Sequence, residues 1–413
     1  DIIPRRRSAS HLGWHGGEFI PYTGDVAFDG DMESRELYSY ISECGNYEEW
    51  IKYTHKLRKN LYLRLQMAAS FASPLLEKIG ALPFVLHLWG GTEAGKTVGL
   101  MTAMSVWGKP AVGQLIKTLN STSNYLSRAG GFFKNLPVAA DELQTIKNEM
   151  GYDKLIMQLT EGVGRGRMKY DTVQKTDTWN CAFLFTGEEP CTGDTSGGGV
   201  KNRVIDLDCK GIKVVENGVE TANFIRGNYG FAGKRYIEYI SGANNLFERY
   251  KRYFTALLEC DTTEKQAMAM ACMLLGDALA CECIYTNEEP LEVLDVFDLL
   301  RTKSEVDVSE RAYDFIVSHI AANAARFYED NNGELWGKID DDIVFINKTI
   351  LVRELSQAGF SFDAVKAKWA ELGRLVKNKQ GKFHHITTCN NIKAMYIKMR
   401  IQQEEIKNNE PPF

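Results

Sequence analysis

The sequence predicts an α/β fold: a parallel sheet with helices on its faces, continued by helical segments and closed by a small winged-helix unit. Three apolar runs carry that expectation. Phe84-Val85-Leu86-His87-Leu88-Trp89 leads into the glycine-rich stretch Gly90-Gly91-Thr92-Glu93-Ala94-Gly95-Lys96-Thr97. Leu136-Pro137-Val138-Ala139-Ala140 ends in Asp141-Glu142, and Cys181-Ala182-Phe183-Leu184-Phe185 ends in Thr186. Unbroken apolar runs are how strands buried on both faces of a parallel sheet read, and their carboxyl ends face the ligand.

The glycine-rich stretch fits G-x-x-x-x-G-K-[ST], and its flanks are the ones the motif needs: a strand before it and, from Val98 to Trp107, a helix after it. Glycines let the backbone come close to phosphates and turn its N–H groups inward. The helix N-terminus adds favourable partial charge. Lys96 is expected to reach the β- and γ-phosphates of ATP, and the Thr97 hydroxyl to hold Mg2+. The expected nucleotide-binding set is Gly90, Gly91, Thr92, Glu93, Ala94, Gly95, Lys96, Thr97 and Val98.

Composition sets the limits around this loop. With 413 residues the chain is long enough for two or three domains, and 44% hydrophobic with 25% charged residues is an ordinary globular balance. A net charge of −5 excludes a polycation, so a nucleic-acid surface must be local. Nine scattered cysteines form no secreted-type framework, which points to a reducing cytoplasm. Cys281 and Cys283, with Cys272 nearby, read as buried small hydrophobes on a helix rather than a zinc site. The run from Ala267 to Leu275 meets Asp277 too soon to span a membrane. The chain begins at Asp1 rather than Met, which is compatible with a fragment whose upstream domains are missing.

Residues 1–30 are expected to form an N-terminal arm or short strands, with Arg5-Arg6-Arg7 as a solvated end. Helices are expected over 33–58 and 60–79, the second with a broad apolar face that includes Leu61, Leu65, Ala68 and Phe71. They lead straight into the loop strand, so they are assigned to one AAA+-like module over 31–215. Thr118 to Arg128 reads as a further helix.

Asp141-Glu142 follows the loop by one helix and one strand. In phosphate-loop enzymes the first acid of such a pair holds the metal and the second orients and deprotonates the attacking water. Asp141 is therefore assigned to Mg2+ and Glu142 to the water. Residues 162–180 read as a hairpin. From 164 to 175 its cations Arg165, Arg167, Lys169 and Lys175 stand against Asp171 alone, which suits a hold on a phosphodiester backbone. A subunit contact or a solvated edge strand fits as well. Thr186, at a strand end beside the loop, is placed to sense the γ-phosphate or simply caps its strand. Arg203 follows a glycine-rich loop at the mouth of the next strand. It is either a finger for a neighbour's nucleotide or the partner of Asp206 or Asp208.

Residues 216–305 read as a helical lid or linker, with helix-spaced apolar faces over 234–240, 246–260 and 264–283, and another helix over 291–300. Residues 306–400 have the strand, helix, turn, helix, hairpin order of a winged helix. The wing is expected around Asn378-Lys379-Gln380-Gly381, between strands at 374–376 and 383–386. From 366 to 400 there are seven lysines and two arginines against Glu371 alone, which suits nucleic acid through Lys377, Lys379 and Lys382, or else a basic protein-docking domain. His384-His385 lacks further ligands at usable spacing. Residues 401–413 form a tail.

Gly13-Trp14, the 90–97 loop, Val106-Trp107-Gly108-Lys109-Pro110, Asp141-Glu142-Leu143, Gly164-Arg165-Gly166-Arg167, Thr186-Gly187-Glu188 and Arg203 occur in that order over roughly residues 10–260. The ordered set resembles the MCM-like AAA+ helicases of phages and mobile genetic elements, long catalogued as a domain of unknown function. The resemblance implies a homo-oligomeric ring, a hexamer, that uses ATP to move along single-stranded DNA in its central channel, alongside other replication proteins. It implies that residues 162–180 are a pre-sensor hairpin facing that channel. One departure is Thr186, where the family pattern has an asparagine. Two other readings stand beside the replicative helicase: an ATP-switched, origin-binding initiator, and an AAA+ remodeller of protein partners.

Overall fold

The computed structural model describes residues 7–23, 26–118, 123–143, 151–164, 168–169, 172–173, 176–193, 195–328 and 333–401. They fall into two compact units, Asp1–Thr302 and Lys303–Phe413.

The first unit is built on five parallel strands: β1 (Phe84–Trp89), β2 (Ile116–Thr118), β3 (Val138–Asp141), β4 (Ala182–Gly187) and β5 (Val204–Asp208). Their spatial order is β5-β1-β4-β3-β2. The central strands β1 and β4 are buried along nearly their whole length, which is why they read as unbroken apolar runs. Helices α1 (Leu61–Ala72), α2 (Lys96–Met104), α3 (Ser123–Phe133), α4 (Tyr152–Thr160) and α5 (Glu264–Cys283) belong to the same unit.

Helix α5 is long and apolar enough to cross a membrane, yet 83% of its most apolar window is buried inside the protein. It packs along α1 so closely that a side chain on Gly276 would lie 2.8 Å from the Ala68 carbonyl. Asp277, at its centre, is wholly buried and takes hydrogen bonds from Arg58 at 2.9 Å, Arg64 at 2.7 Å and the Leu291 N–H at 2.9 Å. Burial pushes this carboxyl up, but the two guanidiniums more than offset that and hold it below the usual carboxylate range. Cys272 lies in the same apolar interior, and Cys281 Sγ faces Arg58 and Arg64.

The N-terminal segment is not a loose arm. Gly13–His15 and Glu18–Ile20 pair as a hairpin, and Trp14 Nε1 donates to the Pro74 carbonyl at 2.8 Å. The Val106–Pro110 motif is structural too. Trp107 Nε1 donates to Ser70 Oγ, and Gly108 lies where a Cβ would be 2.2 Å from the Tyr40 carbonyl. Of the arginine run, Arg7 bonds Glu18, and the rest lies outside the described residues.

Three elements differ from expectation. The helix over 33–58 is two, Met32–Ser39 and Tyr47–Leu57, capped by Asp31 and Asn46. Gly45 between them has φ +84°, and a Cβ there would meet the Gly227 carbonyl at 2.1 Å. The helix expected from Thr118 begins only at Ser123, because Ile116–Thr118 forms the edge strand β2. Three residues are too few for a period to show. Residues 291–300 form two 3-10 turns, Val293–Asp295 and Phe297–Leu299, in place of a helix.

The second unit contains α6 (Val308–Ala322), β6 (Gly337–Asp340), β7 (Ile343–Asn347), α7 (Lys348–Gln357), α8 (Phe362–Glu371), β8 (His384–Cys389) and β9 (Ile392–Arg400). The strands form an antiparallel sheet in the order β6-β7-β9-β8. Leu351, Leu355, Trp369, Ile397 and Met399 are among its core residues. The wing, however, is misplaced in the sequence reading. Leu375 bridges to Met399, and Asn378–Gly381 is a side loop closed by the Asn378 side chain on the Gln380 and Lys382 N–H groups. The hairpin is β8–β9, turning at Asn390-Asn391, both with positive φ (46° and 63°). Two consecutive left-handed asparagines suit a tight two-residue hairpin turn.

Candidate functional site

The register of the sheet assembles the site. Phe185 lies opposite Ala140, so the next residues, Thr186 and Asp141, stand side by side at the strand ends. Thr186 opposes Leu88 on the other flank, one residue before the loop strand ends. Helix α2 begins at Lys96 directly after the loop, with Gly95 as its N-cap at φ +78°. The segment after β5 crosses over this turn. Val214 N–H donates to the Ala94 carbonyl at 2.8 Å, and a Cβ on Gly95 would lie 2.8 Å from the Val215 backbone N and O. Only glycine meets both demands there.

Lys96 is buried, and its ammonium donates to the Gly90 and Gly91 carbonyls at 2.9 and 2.7 Å. Thr97 Oγ1 donates to Asp141 Oδ1 at 3.1 Å, and the buried Thr186 hydroxyl donates to the same oxygen. Glu142 is exposed beside them with φ +60°, a left-handed conformation uncommon for a residue with a side chain. It is flanked by buried Asp141 and Leu143, which hold the backbone on either side. A cleft of about 580 Å3 opens on these groups; Lys96, Thr97, Asp141, Glu142, Glu188 and Lys213 are in its wall.

The expected nucleotide-binding set from Gly90 to Val98, with Asp141, Glu142 and Thr186, is thus brought to one edge of the sheet. Arg203 is not. It precedes β5 at the opposite end, its carbonyl accepting from Val85 N–H, while Nη1 donates to the Gly199 carbonyl at 2.8 Å and Met157 Sδ at 3.1 Å. The pairing with Asp206 or Asp208 does not form. Asp206 is held by His87 Nδ1 at 2.8 Å, Thr192 Oγ1 at 3.0 Å and Arg301 at 3.3 Å, and Asp208 accepts from the Lys210 N–H.

Of the hairpin cations, Arg165, Arg167 and Lys175 lie outside the described residues. Lys169 is on the strand Met168–Lys169, which pairs antiparallel with Thr172–Val173. Below that ribbon, Gly164 N–H donates to Asp177 O, Trp179 N–H to Gly162 O, and Trp179 Nε1 to Leu159 O. Lys377, Lys379 and Lys382 are all exposed on the side loop of the second unit.

Sequence reasoning missed the cleft wall contributed by 213–219, because no motif marks it. It also missed the buried group His87, Cys191 and Asp206, whose ligand-type atoms lie within 4.8 Å of one another. Thr192 and Arg301 already hold the Asp206 carboxylate there, and burial pushes the Cys191 thiol far up, the Asp206 charge adding to the effect. This is the chemistry of a neutral thiol beside a carboxylate that its neighbours already hold, not of a thiolate ligand.

These features define a mixed α/β protein with a parallel five-stranded sheet and a separate C-terminal helix-turn-helix unit. Residues 1–179 match the family described as a domain of unknown function, DUF927, and residues 307–404 match the Cch helix turn helix domain. Among solved structures, the chain is similar to one described as SCCmec type IV Cch, an active helicase. The TM-score is 0.71 at 17% identity, over 94% of this chain and 75% of that one. The likeness is one of fold. No curated protein matches the chain.

Proposed function

We propose that this chain is a P-loop AAA+ ATPase of the MCM-like type, an ATP-dependent replicative DNA helicase that works as a ring, a hexamer. The observation that carries the reading is the convergence of Lys96, Thr97, Asp141 and Glu142 on one cleft at the carboxyl edge of the parallel sheet. The strand order β5-β1-β4-β3-β2 and the likeness in fold to an active helicase support it.

ATP phosphates lie against the backbone N–H groups of the loop, and Lys96 exchanges two carbonyl acceptors for phosphate oxygens. The donor set fits magnesium: a threonine hydroxyl and a carboxylate oxygen 3.1 Å apart, hard oxygen ligands of the kind Mg2+ takes. When bound, the ion neutralises charge on the β- and γ-phosphates. Glu142 receives a proton from the attacking water. Thr186 fixes the Asp141 carboxylate, and with its hydroxyl so occupied it acts on the phosphates only through that acid. Arg203, far from its own cleft, serves a neighbour's γ-phosphate. The ribbon around Lys169, with Arg165, Arg167 and Lys175, holds single-stranded DNA in the channel, and the C-terminal unit adds a second DNA contact.

ATP hydrolysis measured with and without single-stranded DNA tests the reading. Strong stimulation by DNA, lost when Arg165, Arg167 and Lys169 are changed to alanine, supports a translocating helicase. Hydrolysis indifferent to DNA sinks it and favours a protein remodeller. In Glu142→Gln, ATP is expected to bind and stay unhydrolysed. The helix-turn-helix match favours one second reading, the ATP-switched origin-binding initiator. A sequence-specific footprint without strand separation would establish it instead.

A further inference from the structure

Helix-turn-helix units usually read DNA by placing the second helix of the pair in the major groove, with long polar side chains at the base edges. Helix α8 occupies that position here, and its outward face is poor in such groups. Phe362, Val365 and Trp369 are buried, while the exposed positions include Asp363, Ala364, Ala367 and Glu371. Lys368 is drawn to Glu371 at 3.4 Å. The helix therefore exposes two acids and two alanines most fully, and its only side chains of the base-reading kind are the half-buried Lys366 and Lys368, each drawn to a neighbour.

The positive charge lies elsewhere. Residues 374–400 hold five lysines and two arginines and no acid. Arg374 is committed to Glu310 at 2.7 Å. Lys377, Lys379 and Lys382 are exposed on the side loop, and Lys393 is exposed beside the wing turn. Phe383 ties this loop to the helix pair: Lys377 and Lys366 both lie over its ring, at 5.4 and 5.9 Å. The ring is half-buried against the core of the unit, so it supports the lysines rather than standing free to stack on a base.

We propose that the C-terminal unit grips double-stranded DNA by its phosphates, through the 377–382 loop and the wing, and does not read sequence through α8. This rests on the reading of the protein as DNA-binding and deepens it. It also separates the helicase from the origin-binding initiator, which needs a base-reading element.

The test is binding of the full chain, without nucleotide, to labelled duplexes of several unrelated sequences across a range of salt. Two variants are compared with the parent: K377A/K379A/K382A in the loop and D363A/E371A on the helix. All five positions are exposed, so both variants are expected to fold. The loop variant is expected to weaken every duplex alike and to make the log–log salt dependence shallower by about 2 to 3, at roughly 0.9 per lost phosphate contact. The helix variant should bind as the parent does, or somewhat more tightly. A preference above tenfold for one sequence that the helix variant alters would overturn the proposal. So would a loop variant that binds duplexes normally, or one that loses only single-stranded DNA. Stimulation of hydrolysis by single-stranded DNA is read in the same variants. If it persists while duplex binding by the loop is absent, the grip has failed and the helicase reading stands.

Discussion

The two ends of the five-stranded sheet are opposites in chemistry. At the carboxyl end, a lysine, a threonine and two acids converge on one cleft, Lys96 and Thr97 from the first turn of α2 and Asp141 and Glu142 from the end of β3. At the amino end stands Arg203, bound to a carbonyl and a thioether rather than a carboxylate. Lys265, whose ammonium is depressed first by burial and then by the Arg203 charge nearby, adds a second positive charge. The Arg203 region is firmly placed: Gln266 Nε2 donates to the Lys201 and Val204 carbonyls at 2.8 and 2.6 Å, and Thr263 Oγ1 bonds Asn202. The cleft at one end and this anchored cation at the other would complete one another if the end of one copy met the opposite end of the next.

The strongest test of that contrast is complementation. Lys96→Ala and Arg203→Ala should each lower hydrolysis by about 1,000-fold or more, the scale expected for losing a cation that stabilises phosphoryl transfer. Mixing the two inactive variants should restore a sizeable fraction of activity. An interface pairing the intact Lys96 of one variant with the intact Arg203 of the other is whole. Failure to recover activity in mixed, co-purified oligomers would place Arg203 outside the reaction.

Next in size is the loop backbone. Gly95→Ala meets both a left-handed φ of +78° and the Val215 backbone 2.8 Å away. It should abolish nucleotide binding in a titration with a fluorescent ATP analogue and lower the melting temperature. Gly91→Ala has ordinary φ and open space around its Cβ, so it should bind nucleotide nearly as the parent does. Equal effects of the two would mean that the loop changes shape when it binds.

How much of this was legible in sequence depends on whether a feature is local. The loop, the Asp141-Glu142 pair and the strands that carry them are contiguous motifs with unbroken apolar runs, and they stand where the sequence placed them. The edge strand β2 was not read, because three residues show no period, and the helix was begun at its last residue, Thr118. The wing was assigned to Asn378-Lys379-Gln380-Gly381, a genuine turn, because nothing in a single sequence says which strand a turn returns to. Asn390-Asn391 between alternating residues was the better hairpin mark. The partner of Arg203 could not be read either. Asp206 is two residues into the strand that follows, yet its carboxylate is taken by His87 and Arg301, far away in sequence.

Thr186 gives the smallest expected effect and the sharpest distinction at the carboxyl end. Its position at a strand end suits a γ-phosphate sensor, but its hydroxyl is buried and donates to Asp141. Thr186→Val keeps the shape and removes that donor. If Thr186 positions the metal-holding acid, kcat should fall about tenfold and more Mg2+ should be needed for half-maximal rate, since partners of metal ligands typically contribute 10- to 100-fold. Thr186→Ser, which keeps the hydroxyl, should recover most of both. If Thr186 instead touches phosphate, the rate falls while the Mg2+ demand stays where it was. A magnesium titration of hydrolysis in the three proteins decides between a residue that acts through Asp141 and one that acts beside it.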